Sequence, residues 1–479
     1  MVIDFNTAIK TGVFPSTSKL ADVVPLYKKG ERQSKANYRP CSLLSAISKV
    51  FGRLMLPQMH NYMQNSLSIF LCGFTKGMNA QNCLVFMVEY CKKALDKGNK
   101  FGVLLTDLSK AFDCLLHDLL IAKLAAYGFD YLSLKLIFSY LTERKQRVRV
   151  NSNYSEYTII ETGVPQGSIL GPELYNYNSN DLFLFVLLYI ANYADDNSPF
   201  CTYDTIPRVI SSLEVDAKNL LSWIQYNGLK ANPDKFHLLL SEKDENLSME
   251  VGGFEISNSQ TEKLLGITID NKLTFKPHVT NLCDKASQKL HALTRVGNYM
   301  NLNQRKLIMN CFITSQFSYC PLVWMFHSRE LNNRINKIHK RSLKIVYRDH
   351  KASFEELLKM DNSFTVHHRN IQTLCIELYK VAYGIAPKIM RLVFPTKPGI
   401  RYPWENIFQT HNIRTVTWGT EALSHFGPKI WSLLPLPLRK LPTLKQFKPA
   451  IRNWRPDICP CRICKVYLAG VGFINVVHG

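Results

Sequence analysis

The chain has 479 residues, 46% hydrophobic and 20% charged, which excludes a disordered tail and allows roughly two to four packed subdomains. Lysine and arginine number 59 against 37 acidic residues, a net charge of +22, and an excess of that size points to a polyanionic partner, nucleic acid first. The 13 cysteines, Cys83, Cys91, Cys114 and Cys311 among them, sit mostly in apolar runs and read as reduced thiols rather than a disulfide framework. The N-terminus lacks the pattern of a signal peptide, and the longest apolar run, Leu182 to Ile190, is too short to span a bilayer. An intracellular chain, nuclear or cytoplasmic and without a membrane partner, is expected.

In chain order, Ala21 to Tyr27 reads as a strand, followed by a basic turn, Lys28 to Arg32, and then Asn37-Tyr38-Arg39-Pro40. A helix is expected around Leu43 to Leu56. FGVLLT at 101–106 has the pattern of a buried strand ending on Asp107. Leu115 to Gly128 is a helix with a glycine stop, and Gln146–Val150 with Tyr157–Ile160 suggests a β-pair. Phe183 to Tyr193 is apolar and ends in Ala194-Asp195-Asp196. Residues 209–226 have helical spacing, closed by Asn227-Gly228. Beyond about residue 280 the pattern is helical and basic; beyond about 395 it is proline- and tryptophan-rich and weaker. The interleaving over the first 270 or so residues predicts an α+β core followed by a helical region.

The sharpest chemical feature is acidic: Asp107 in LLTDLSKAFD and Asp195-Asp196 in NYADD both end apolar strands. Adjacent carboxylates repel and raise each other's pKa unless a cation offsets them. A hard divalent ion with oxygen ligands does so, and two such ions about 4 Å apart suit nucleotidyl transfer. An Asp-Asp pair alone is as readily a solvated turn.

The surrounding motifs decide between these readings. YADD resembles motif C of reverse transcriptases, LTDLSKAFD their motif A, and TGVPQGSILGP (162–172) their motif B, in the family's order. NYRP (37–40) is similar to the fingers motif and LKANPDKFHLLL (229–240) to motif D. KLLGITIDNKLTFKPHV (263–279) is similar to the motif E region of the non-LTR (LINE-type) retrotransposon enzymes. FSYCPLVWMFHS and INKIHKRSLKIVY resemble the segment after the palm in that group. The resemblance covers roughly residues 15–395.

It implies a right-hand polymerase of α+β class with an antiparallel palm sheet and a helical C-terminal region. The divisions expected are fingers 1–100, palm 101–275, helical thumb 276–395 and a C-terminal region 396–479 with a cysteine cluster. The implied activity is RNA-directed DNA polymerisation with two Mg²⁺ ions (or Mn²⁺), on an RNA template, a DNA primer or target, and dNTPs. Asp107, Asp195 and Asp196 would be the catalytic metal ligands, with Leu108 giving a backbone carbonyl. Phe112 matches the steric-gate position that excludes a ribose 2′-OH; its alternative is an ordinary core ring. Gln166 and Gly167 would pack on the nucleotide and template, Gly167 because a side chain would block close approach. Lys28 and Arg39 would contact the triphosphate, and Lys235 resembles the motif D lysine that donates a proton to pyrophosphate.

Residues 329–348 put Leu331, Ile335, Ile338 and Ile345 on one helical face and almost no acids on the other. Lys337, Lys340, Arg341 and Lys344 there are candidate phosphate contacts. Cys459, Cys461 and Cys464 form a tight triplet, with His478 further on. They are candidates for zinc, but the spacing fits no standard finger and a fourth ligand would be distant. Exposed reduced thiols are therefore expected, without zinc. No endonuclease segment precedes the motifs. GPELYNYNSND after motif B makes a poor buried helix, and Pro199 falls in the strand leaving the acidic turn. These two departures suggest an inactive relic that only binds nucleic acid, as the alternative to an active enzyme. A phosphatase built on the same carboxylates is the weaker third reading, against the motif order.

Overall fold

The protein is described by a computed structural model over residues 2–109, 111–468 and 472–475; His478 lies outside the described residues. The first part interleaves α1 (Val2–Thr11), β1 (Leu20–Tyr27), β2 (Tyr38–Leu44), α2 (Ala46–Met63) and α3 (Ala80–Asp96) with β3 (Lys100–Leu105) and β4 (Leu108–Ser109). It continues through α4 (His117–Ala126), α5 (Tyr131–Leu141), β5 (Arg144–Val150), β6 (Asn153–Tyr154), β7 (Thr158–Ile160), α6 (Gly171–Ser179) and α7 (Leu182–Phe185). Strands β8 (Tyr189–Tyr193) and β9 (Asp196–Tyr203) precede the long α8 (Ile206–Tyr226), β10 (Lys230–Ala231) and β11 (His237–Leu240). Two hairpins follow, β12 (Ser248–Val251) with β13 (Phe254–Ser257) and β14 (Thr261–Leu264) with β15 (Ile267–Asp270).

Two sheets organise this part. The first has the order β2-β1-β5-β6, with β7 also on β5; the expected pairing of 146–150 with 157–160 is there, Gln146 opposite Thr158. The sequence pattern does not show that β5 also runs parallel to β1. The second sheet, β11-β3-β9-β8, is antiparallel throughout. Its strand β3 is apolar on both faces because both are covered. Phe101, Val103 and Leu105 pack with α3, while Leu104 packs with Val209 and Leu213 of α8. Gly102 lies under α8 so closely that an added Cβ would meet Val209 Cγ1 at 2.5 Å.

Two apolar runs divide differently from the sequence reading. The run from Leu43 stays extended through Leu44, and α2 starts only after Ser45, whose side chain accepts from Ser48 N. The run from Phe183 breaks after α7, where the buried Asp216 carboxylate takes Leu187 N at 3.0 Å and Leu188 N at 2.6 Å. A buried anion that satisfies two amides holds the chain extended where apolar periodicity alone would continue a helix.

The two suspected lesions are accommodated. Helix α6 is buried, and several of its polar groups find partners there. Glu173 pairs with His60 Nδ1 and Tyr177 OH, both at 2.9 Å, and Asn176 Nδ2 donates to Gly73 O at 2.8 Å. Lys123 Nζ donates to the Asn178 carbonyl at 2.6 Å. Pro199 stands in a central strand, opposite Ile190 of β8. On its other side, the β3–β9 pairing runs from Lys100↔Tyr203 to Val103↔Phe200 and resumes only at Thr106↔Asn197. The missing proline donor therefore falls in that interruption.

From Lys276 the chain is mainly helical: α9 (Lys276–Val296), α10 (Leu302–Ile308), α11 (Pro321–Trp324), α12 (Arg329–Tyr347), α13 (Phe354–Asp361), α14 (Val366–Ala382) and α15 (Lys388–Val393). Then come α16 (Leu423–Leu433), α17 (Leu436–Arg439), α18 (Leu444–Ile451) and a hairpin of β16 (Lys465–Leu468) with β17 (Gly472–Asn475). The weakly patterned segment after 395 docks on α3 through buried polar groups. Glu89 accepts from Leu423 N and Ser424 N, Lys92 donates to Glu421 O, and Asp96 accepts from Thr415 N. Backbone contacts of this kind leave no hydrophobic period to read. Among the described residues no helix is long and apolar enough to cross a membrane.

Candidate active site

The acidic site is built on the edge of the antiparallel sheet. Strands β8 and β9 are joined by the two residues Ala194 and Asp195, closed by the pair Tyr193↔Asp196, and Ala194 has φ +59°. A tight two-residue turn of this handedness matches strand twist but normally favours Gly or Asn. Two buried asparagines brace it: Asn192 Nδ2 donates to Asn197 Oδ1 at 2.8 Å, and Asn197 Nδ2 to Asp195 O at 3.3 Å. Thr106 Oγ1 donates to Asn197 O at 2.5 Å, which ties the end of β3 to the start of β9. Continuing that register, Asp107 faces Asp196 across adjacent strands.

The electrostatics follow from this placement. Burial first, then the Asp107 charge, pushes the Asp195 carboxyl above the usual range, against the pull of Arg39 and Lys28. Burial, Asp195 and Asp107 push Asp196 up to about 6, with Lys28 opposing. Lys235, in the turn after β10, lies on Asp107 with Nζ 2.7 Å from Oδ2. The site thus holds three carboxyls close together, two of them raised chiefly by burial. Leu108 follows on β4 with its side chain buried and its backbone paired to Ala231.

The walls of the site join motifs far apart in sequence. Phe112 is half-buried, stacked on Tyr175 at 4.5 Å and edge-on to Phe74 at 5.8 Å. Gln166 Nε2 donates to Asp113 Oδ1 at 2.9 Å. Gly167 has φ +120°, and an added Cβ would lie 2.8 Å from Ser42 O. The close approach that needs this glycine is thus to strand β2, whereas the motif resemblance assigns it to nucleotide and template. Ser42 N also donates to Gln166 O at 2.8 Å. Arg39 is exposed on β2, paired with Leu26, and Lys28 just past β1 bonds Asn37 O through its backbone.

Sequence reading misses Gly73. An added Cβ there would lie 2.1 Å from Ala194 N, so only a glycine lets this segment lie against the acidic turn. Asn176 holds Gly73 in place through its carbonyl. The one local signal is the turn-like CGFTKG between two helical stretches. Nothing local marks Asn192 or Asn197, which look like ordinary strand polar residues.

The remaining predicted residues lie apart. On α12, Lys337 and Arg341 are exposed; Lys340 and Lys344 are half-exposed, with Lys344 Nζ on His350 O at 2.6 Å. The buried face of α12 is wider than its apolar stripe and takes in Asn332, Asn336, His339 and Ser342. Cys459, Cys461 and Cys464 are buried, where exposed thiols were expected, and a fourth donor, His367 of α14, stands beside them. That residue lies 92 positions before Cys459, so the triplet's own spacing could not reveal it.

Comparison with known proteins agrees with this geometry. Residues 26–269 match the family model described as reverse transcriptase (RNA-dependent DNA polymerase). The chain is 27% identical over 364 residues to the probable RNA-directed DNA polymerase from transposon BS of Drosophila melanogaster, covering 72% of this chain and 40% of that protein. It is 26% identical to the RNA-directed DNA polymerase from mobile element jockey of Drosophila funebris, covering 72% and 39%. It therefore spans about two fifths of the length of these curated relatives. Among solved structures, apo telomerase from Candida tropicalis aligns over 75% of this chain and 63% of its own, at 13% identity and a TM-score of 0.41.

Proposed function

The chain belongs to the reverse transcriptase (RNA-dependent DNA polymerase) family, and from that premise we propose that it is the polymerase of a non-LTR retrotransposon, adding dNTPs to a DNA primer 3′-OH on an RNA template. The observation that carries this reading is the convergence of Asp107 with Asp195 and Asp196 from adjacent strands, with two of the carboxyls raised by burial and mutual charge. A clustered hard-oxygen donor set of this kind fits divalent magnesium, with manganese as the alternative. Asp107, Asp195 and Asp196 would hold two ions with the Leu108 carbonyl, and bound there they supply activation of the attacking hydroxyl and charge neutralisation on the leaving pyrophosphate.

The other roles belong to the chain itself. Arg39 and Lys28, whose charges already reach Asp195, would grip the triphosphate. Lys235, within reach of Asp107, would place its proton near the departing pyrophosphate. The Phe112 ring would fill the space below C2′ of the incoming sugar, held by its stack on Tyr175. Gln166 and Gly167 would carry the nucleotide and template side of the pocket. The divisions proposed are fingers 1–100, palm 101–275, thumb 276–395 and a C-terminal region from 396.

The test is primer extension on an RNA template with purified protein and magnesium. Extension is expected from the parent chain, and Asp195→Asn, which keeps side-chain volume, should lower it by about 10³-fold or more. A folded parent that extends no primer under magnesium or manganese would overturn the reading.

A further inference from the structure

Far from the acidic site, the described residues contain one group of four soft or borderline metal donors. His367 stands in the first turn of α14, and Cys459, Cys461 and Cys464 lie in the irregular segment after α18. All four are buried, at 2%, 5%, 3% and 4% relative exposure. Their donor atoms all lie within 4.8 Å of one another. Nε2 of His367 is 3.6 Å from Cys459 Sγ and 3.2 Å from Cys461 Sγ. Ligands about 2.0–2.3 Å from a tetrahedral zinc stand roughly 3.5–3.8 Å from each other, so the two imidazole–thiol distances bracket the lower end of that range and the group is compact enough to close on one ion. The cysteines are all free thiols. Three thiols and an imidazole turned inward on one point are a poor way to fill a core, since none gains a strong partner from the others.

We propose that His367, Cys459, Cys461 and Cys464 bind a structural zinc ion that staples the C-terminal segment to helix α14. Three thiolates and a neutral imidazole match zinc's preference and leave no open position for chemistry. The segment from Asn453 to Cys464 has almost no regular structure, so few backbone bonds of its own hold it. Its anchors to α14 include the bonds from Gln372 Nε2 to Arg452 O and Trp454 O, at 3.2 and 2.8 Å. Closing the long His367–Cys459 loop through a metal restricts the unfolded chain and couples zinc binding to folding of this end of the molecule. The site stands outside the polymerase reading and survives its failure.

The test is metal analysis of the full chain purified under reducing conditions without added metal. About one equivalent of zinc per chain is expected, resistant to gel filtration and lost in Cys461→Ser, Cys464→Ser or His367→Ala. Cys311→Ser, an exposed cysteine elsewhere, should retain it. Because a ligand variant can simply fail to fold, the parent chain is also stripped and reloaded with cobalt. Thiolate-to-cobalt charge transfer with tetrahedral d–d bands is the supporting result. Removal of zinc should also open residues 453–464 to proteolysis ahead of the acidic-site region. A parent chain that holds no zinc after reconstitution, or one whose Cys459, Cys461 or Cys464 is isolated as a disulfide from reduced folded protein, would overturn the proposal.

Discussion

At the scale of single residues, two positions separate fold from function. Phe112 is half-buried with one ring face on Tyr175 and an edge on Phe74, so it serves packing and still borders the site. Phe112→Ala should cost about 1–3 kcal/mol of stability, less than the 3–5 kcal/mol typical of a fully buried ring. It should raise relative incorporation of ribonucleotides roughly tenfold or more, as a clash specific to the 2′-OH disappears. Single-nucleotide incorporation of dNTP against rNTP reads this, and equal losses on both would reduce the ring to packing alone. Gly73 makes the converse case. Gly73→Ala would drive a methyl to 2.1 Å from Ala194 N, so the acidic turn must move although no carboxylate has changed. A displacement near 1 Å should lower kcat about 100-fold and, because backbone must give way, cost about 1–3 kcal/mol of stability as well, read as a lower melting temperature. An active Gly73→Ala enzyme would show that the turn is not held by this contact.

At the scale of elements, helix α12 combines a periodic apolar pattern with a basic face. Leu331, Ile335, Leu343 and Val346 fix its orientation, and the opposite face carries Lys337 and Arg341 one turn apart. If this face tracks a phosphate backbone, Lys337→Glu with Arg341→Glu should weaken RNA–DNA binding. It should also reduce the log–log salt slope by about 0.7–0.9 per lost contact. Titration of binding against salt measures it, and an unchanged slope would mean the helix faces elsewhere. Helix α6 teaches the opposite lesson. Its Glu173 and Asn176 look wrong for a core helix until their partners on α2 and the Gly73 segment are seen.

At the scale of the whole molecule, acid stability follows from three buried imidazoles. Burial chiefly lowers His278 to about 4, His327 to about 4 and His339 to about 3. His278 Nδ1 accepts from Thr268 N at 3.2 Å, a bond that needs the neutral ring. These groups bind fewer protons folded than unfolded between pH 6.5 and their lowered values. Stability is therefore fully present above about 6.5 and lost as pH falls toward 3–4, by at most about 1.4 kcal/mol per unit per ring. Asp196, raised to about 6, acts with the opposite sign between about 4 and 6, as do the raised Asp195 and Glu421, while the lowered His411 and His425 act with the three rings. Melting temperature should drop between pH 7 and 5, and His278→Gln should flatten that slope. A flat profile in the parent chain would contradict this account.

The sequence by itself placed Asp107, Asp195 and Asp196 at the ends of apolar stretches, because an apolar run closing on carboxylates is a local signal. It also determined the buried strand β3 and the amphipathic α12, since a continuous apolar run and a 3.6-residue period are short-range signals. Only the tertiary structure decided which polar residues are core. Glu173, Asn176 and Asp216 are buried because partners remote in sequence satisfy them, and Pro199 is tolerated because a gap in pairing falls where its donor is missing. The same holds for the cysteines. Three thiols within six residues do not by themselves specify a metal site, and the fourth donor comes from a helix 92 residues earlier. Hydrogen-bond satisfaction and metal ligation are properties of neighbours in space, and no period in the chain records who those neighbours are.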